Sequence, residues 1–141
     1  MVRVVLDTNQ IVSALLGPEG PSFEVLKGSG LAGKARYERV LSDEILAELR
    51  RVLSYPRVRK ILGWPPRRIG IFVALLREHA RIGDCRGRER IVPGDPDDDK
   101  FFRLAVRTGA RYIVSRDAHL LEVHEPQSVP QSPPLGAGSR R

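Results

Sequence analysis

Cysteine is nearly absent from this chain: Cys85 is the only one in 141 residues. A lone thiol excludes an internal disulfide and any cysteine-based zinc cage. Cys85 therefore reads as an inert, partly buried side chain. Long apolar runs are missing as well. None approaches the roughly 20 residues that a bilayer-spanning helix needs. The opening MVRVVLDTN carries neither the apolar stretch nor the cleavage site of a secretory leader. A cytoplasmic protein with no membrane association is expected. The three histidines, His79, His119 and His124, have no metal-like spacing, and a separation of five does not bring the last two to one helix face. There is no Walker phosphate-binding motif, and the serine of SALL lacks the glycines of a nucleophile elbow. GSGLAG at 28–33 is a literal G-x-G-x-x-G. A dinucleotide site needs a strand before it and a helix after it. Here the order is reversed, and the stretch reads as a flexible turn.

What is abundant is positive charge. The net charge is +7 and the pI about 10.3, which favours a polyanionic partner, most plausibly nucleic acid. Arginine far outnumbers lysine, and its planar fork suits bidentate phosphate contacts. A length of 141 residues is that of one domain with one substantial core. Hydrophobic and charged fractions of 41% and 29% are ordinary for a globular chain.

Along the chain, short apolar runs alternate with amphipathic stretches. VRVVL (2–6), RYERVLS (36–42) and RYIVS (111–115) read as strands, and RIGDC and RIVPGD as weak strand or loop segments. DTNQIVSALL, SFEVLKG with Ser22 as its cap, residues 43–54 with Ser42 as cap, a short turn of helix in YPRVRKIL, and RRIGIFVALLREHA read as helices. DPDDDKFFRLAVRTGA is expected to be a helix opened by acids and closed by Gly109, and RDAHLLE a turn with a short helix. Phe101, Phe102 and Trp64 are expected in the core or an interface. No internal repeat is visible. The alternation predicts an α/β domain over 1–124, a three-layer α/β/α sandwich with a mainly parallel sheet. Residues 125–141, rich in Pro, Ser and Gly, read as a disordered tail.

Against this cationic background, GDPDDDK at 94–100 gathers four aspartates within five positions. Like charges about 4 Å apart at an effective dielectric near 20 repel by roughly 4 kcal/mol per contact. Such a cluster needs a counter-ion, a helix N-terminus or open water. In open parallel sheets, sites form beyond the carboxyl ends of the strands. Asp7 follows VRVVL directly, Asp117 follows YIVS after one residue, and the acids of 95–99 open a helix that starts at the same edge. Glu48 lies at the border of the apolar stripe of its helix, able to lean over the sheet. Four segments can thus bring carboxylates together. An all-oxygen set of this kind suits Mg²⁺ or Mn²⁺, and on a basic protein it points to hydrolysis of a phosphodiester.

VLDTNQIVSALL, LSDEILAELRRVL, DPDDDKFFRLAVRTGARYIVSRD and HLL together resemble the PIN-domain family over roughly residues 2 to 123. The likeness is to its branch of VapC-like toxins from toxin–antitoxin pairs. The resemblance implies a metal-dependent endoribonuclease with Mg²⁺ or Mn²⁺ as cofactor and RNA as substrate. Its acids map onto Asp7, Glu48, Asp98 and Asp117, with Asp99 competing with Asp98 because three consecutive aspartates leave the register open by one. Asp7, Asp98 or Asp99, and Asp117 would hold one or two ions, and Glu48 would help hold a metal or orient the attacking water. Thr8, Asn9 and Ser115 would orient the carboxylates. Arg116 and Arg103 are candidates to bind the RNA backbone. SRD in place of the commoner threonine-containing form is a departure that leaves the acids in place. The resemblance also implies an antitoxin partner and, with the apolar positions around 71–76, a homodimer. The competing expectation is a nucleic-acid- or protein-binding module whose acids no longer catalyse. A phosphoacceptor receiver domain is disfavoured, since the first strand ends in one acid only.

Overall fold

In the computed structural model, residues 1–31, 33–85, 96–115 and 119–123 are described, with the side chains of 96–99 and 119–121 outside that set. The β-branched opening forms β1 (Arg3–Leu6), in which Val4, Val5 and Leu6 are all buried. Successive strand residues point to opposite faces, so three consecutive buried positions mean that the sheet is covered on both sides. From β1 the chain runs through α1 (Thr8–Leu16) and α2 (Pro21–Lys27) to β2 (Glu38–Leu41). It continues through α3 (Asp43–Leu53), α4 (Pro56–Leu62) and α5 (Pro66–Glu78) to β3 (Arg81–Ile82). Then α6 (Pro96–Thr108) leads to β4 (Tyr112–Ser115) and β5 (His119–Glu122).

The strand order is β3-β2-β1-β4-β5. The first four are parallel, and β5 pairs antiparallel with β4. The chain steps outward from β1 to β3 and then returns past β1 to β4. With right-handed crossovers, α1–α5 cover one face and α6 the other, which is the expected three-layer sandwich. The core lies on both sides of β1: Ile11, Ile45, Leu49, Leu53, Ile69 and Leu76 on the multi-helix face, and Leu104 and Ala105 from α6, all essentially inaccessible.

Local chemistry explains the helix ends. Ser42 caps α3 as expected, its Oγ accepting from the Ile45 amide at 3.0 Å. Gly109 closes α6 at φ 74°, a left-handed conformation costly for other residues, and the Ala110 amide reaches back to the Ala105 carbonyl at 2.9 Å. Gly83, just after β3, sits against α6. A Cβ there would lie 2.5 Å from Thr108 Cγ2 and 2.8 Å from Leu104 Cδ1, so any larger residue would have to push those two side chains aside.

Two expectations are corrected. Ser22 does not cap α2: Gly20 is the N-cap, Pro21 opens the helix, and Ser22 is buried one residue inside it. Proline's fixed φ suits that first position, and the Ser22 carbonyl instead accepts from Gln10 Nε2 at 2.8 Å. HLLE of RDAHLLE is strand β5, not helix. Its residues pair in register with β4 from Ser115↔His119 to Tyr112↔Glu122, and the ladder continues to a Val123 amide bond with the Arg111 carbonyl at 2.9 Å. Leucine and glutamate favour helix locally, but a neighbouring strand edge overrides so short a preference. RIVPGD and residues 125–141 lie outside the described residues, and so does the expectation for each. Among the described residues, no helix is long and apolar enough to cross a membrane.

Candidate active site at the carboxyl edge of the sheet

Asp7 is the residue after β1. Its backbone amide donates to the Val114 carbonyl at 3.1 Å, which extends the β1–β4 ladder by one step and sets Asp7 beside the end of β4, where Ser115 lies. Its side chain caps α1: Oδ1 accepts from the Asn9 amide at 2.7 Å. That one bond fixes the carboxylate at the positive end of a helix dipole and at the carboxyl edge of a parallel sheet. The role of Asn9 seen here is carried by its backbone; its side chain is exposed.

Thr8 is buried, and its hydroxyl donates to Glu48 Oε1 at 2.8 Å. Glu48 therefore does lean from α3 toward the start of α1. The same oxygen accepts from Lys100 Nζ at 3.0 Å. Lys100 stands in the second turn of α6, directly after Asp97, Asp98 and Asp99. Three helices on two faces of the sheet thus meet over its edge at one carboxylate oxygen. The side chains of Lys100 and Glu48 are 21% and 30% exposed, so the pair is shielded enough to be more than a surface ion pair. Burial pushes the Glu48 carboxyl up, but hydrogen bonds from Lys100 and Thr8 and the charges of Lys100 and Arg51 outweigh it, leaving the group below the ordinary glutamate range.

Asp98 and Asp99 lie in the opening turn of α6, two positions and one position before Lys100, and their side chains are outside the described residues. Asp117 and Arg116 are outside them as well. Ser115 ends β4 and is half-buried. Among the described residues, no three of His, Cys, Asp and Glu form a group able to hold a metal. The donors that are described fit a hard dication in kind: carboxylate and hydroxyl oxygens, without sulfur or imidazole.

Arg103 is corrected as a candidate for the RNA backbone. It is buried, and its Nε donates to the Cys85 carbonyl at 3.0 Å, tying α6 to the segment after β3. Cys85 is buried with it, its thiol pushed up by burial and 3.4 Å from Ser42 Oγ, an inert environment. Sequence reasoning overlooked Lys100. The signal was present: Lys100 is the one cation directly adjoining the acid run 95–99 on the expected helix.

It also overlooked where the positive charge sits. From Arg50 to Arg68 the chain carries Arg50, Arg51, Arg57, Arg59, Lys60, Arg67 and Arg68 and no acid. All seven are exposed. The seven equal the whole net charge of +7 and lie on the end of α3, on α4 and on the start of α5, with Arg51 near enough to Glu48 to act on its carboxyl. Arg68 lies over the Trp64 ring at 4.6 Å, and Trp64 packs edge-on against Phe72 at 5.3 Å.

An α/β sandwich with the Asp7 and Glu48 carboxylates at the carboxyl edge of its parallel strands defines the class of this chain. Comparison with known proteins narrows it. The family model described as PIN domain matches residues 3–119, and the chain belongs to that family. It is 28% identical over 130 residues to an uncharacterized protein of Methanocaldococcus jannaschii, an alignment that covers 88% of this chain and 76% of that one. Its fold is similar to that of VapC20 of Mycobacterium tuberculosis, described as a sarcin-ricin loop cleaving toxin, with a TM-score of 0.51 and 14% identity over 86% of this chain and 99% of that one.

Proposed function

We propose that this chain is a Mg²⁺- or Mn²⁺-dependent endoribonuclease acting as the toxin of a toxin–antitoxin pair. The observation that carries the proposal is the convergence at Glu48 of Thr8, next to Asp7, and of Lys100, next to the aspartates of α6. Membership of the PIN domain family and the likeness to an RNA-cleaving toxin support the same reading. Asp7, Asp98 or Asp99, and Asp117 would hold the ion. Bound there, a hard dication would lower the pKa of a water and offset charge on the phosphoryl oxygens. Thr8 fixes the rotamer of Glu48, Asn9 fixes Asp7 through its amide, and Ser115 flanks the same edge. Glu48, held ionised, is in position to orient the attacking water. Arg116 and the cations from Arg50 to Arg68 would bind the RNA backbone. An antitoxin covering the edge, a cytoplasmic location, and a homodimer through the exposed Ile71 and Leu75 of α5 complete the proposal.

One observation favours a second reading. Lys100 already neutralises Glu48, as it would in a PIN-like binding module that no longer catalyses. Labelled RNA incubated with purified protein in Mg²⁺ or Mn²⁺, and in EDTA, separates the two. Cleavage that requires the metal and is lost in Asp7→Asn supports the nuclease. RNA binding indifferent to EDTA, with no cleavage at high protein concentration, establishes the module.

A further inference from the structure

This inference rests on the metal-dependent reading above and concerns how many ions the edge accepts. Glu48 Oε1 accepts from both Thr8 Oγ1, at 2.8 Å, and Lys100 Nζ, at 3.0 Å. Both donors fall on Oε1 and take its lone-pair directions, while Oε2 keeps its own, so the obstacle to an ion on Glu48 is the ammonium beside it. The Lys100 ammonium, 21% exposed, is anchored on α6 immediately after the three aspartates. It brings a fixed positive charge between the α3 side of the edge and the α6 side. A dication seated on Glu48 would have to displace that ammonium or lie against it, and like charges in a shielded site repel strongly.

We propose that Lys100 is a built-in cation that takes the place of a second metal ion. The edge then binds a single dication on the Asp7 side, and Glu48 is a positioning residue rather than a ligand. The same bond explains why Glu48 is fixed although it stands on a helix face bordering solvent.

The full-length chain is titrated with Mn²⁺ alone, with binding followed by calorimetry and by the paramagnetic resonance of free Mn²⁺. Wild type is expected to bind one Mn²⁺ per chain. Lys100→Met, which keeps length and loses charge, is expected to bind two. Lys100→Arg, which restores the charge, is expected to bind one. Two ions on wild type, or one on a folded Lys100→Met protein, would overturn the proposal while leaving the metal-dependent reading intact. No ion on any of the three proteins would instead remove that reading, and the proposal with it. Should Lys100→Met fail to fold, a Mn²⁺ soak of wild-type crystals decides. One anomalous peak with no Glu48 oxygen in its coordination sphere supports the proposal; a peak bonded to Glu48 overturns it.

Discussion

The carboxyl edge of the sheet and the cationic stretch from Arg50 to Arg68 are opposite in charge and opposite in construction. At the edge, Asp7 is held by the Asn9 amide and Glu48 by Thr8 and Lys100. Along α4 the cations are exposed and no residue is buried. The first arrangement fixes atoms for chemistry. The second offers a field that attracts a polyanion without choosing its atoms. α3 joins them, with Glu48 at the edge and Arg50 and Arg51 in its last turn. A third group of cations shows that arginine count is not surface charge. Arg39 is 2% exposed, with Nε on the Leu76 carbonyl at 2.8 Å, Nη1 on the Ser29 carbonyl at 2.8 Å and Nη2 on the Leu75 carbonyl at 3.1 Å. It ties β2 to the end of α5 and to the loop after α2 without any carboxylate partner among those bonds.

Breaking the edge should have the largest effect. Asp7→Asn is expected to lower RNA cleavage below detection while leaving the melting temperature nearly unchanged, because asparagine caps a helix as well as aspartate. Next is Arg39→Met, which leaves two buried carbonyls and one part-buried carbonyl without this donor. A stability loss of roughly 3 kcal/mol is expected in denaturant titration, and a loss under 1 kcal/mol would show that water replaces the guanidinium. Thr8→Val removes the hydroxyl that orients Glu48. Cleavage should fall by roughly 10–100-fold, as for other groups that orient a site carboxylate, with the melting temperature as the control for folding. On the cationic side, the triple change Arg57→Gln, Arg59→Gln, Lys60→Gln should leave cleavage at saturating RNA unchanged. It should reduce the salt dependence of single-stranded RNA binding by about two in log–log slope, at about 0.7 per phosphate contact. An unchanged slope would place the RNA elsewhere.

The smallest effect is a pH dependence. Glu48 has a folded-state pKa below its unfolded value, so its contribution to stability is present above the unfolded glutamate range and is lost as pH falls through the folded pKa. Acid unfolding curves of wild type and Glu48→Gln should therefore converge at low pH and separate toward neutrality, wild type being the more stable there.

Much of this was legible in the sequence for physical reasons. VRVVL reads as a buried strand and Val4, Val5 and Leu6 are buried in it, the i, i+1, i+4 spacing of α3 faces one core, and Asp7, directly after β1, lies at the carboxyl edge of the parallel sheet. What was not legible depended on partners distant in sequence. The β5 ladder exists because β4 is beside it, and HLLE carries no such information by itself. Arg103 resembled a substrate ligand until its neighbour, the Cys85 carbonyl, was known. Lys100 pairs with Glu48 across 52 positions. The cationic stretch, by contrast, needed no fold to be read, only a charge count taken locally rather than over the whole chain.

The account stands on a hard dication held at the edge that begins with Asp7. Thermal melting of wild type and Asp7→Asn in Mn²⁺ at a hundredfold excess over the dissociation constant, against EDTA, tests it directly. Wild type should gain about 2.7 kcal/mol of stability from the ion, and Asp7→Asn should gain little. Identical melting of wild type with and without Mn²⁺ would contradict it.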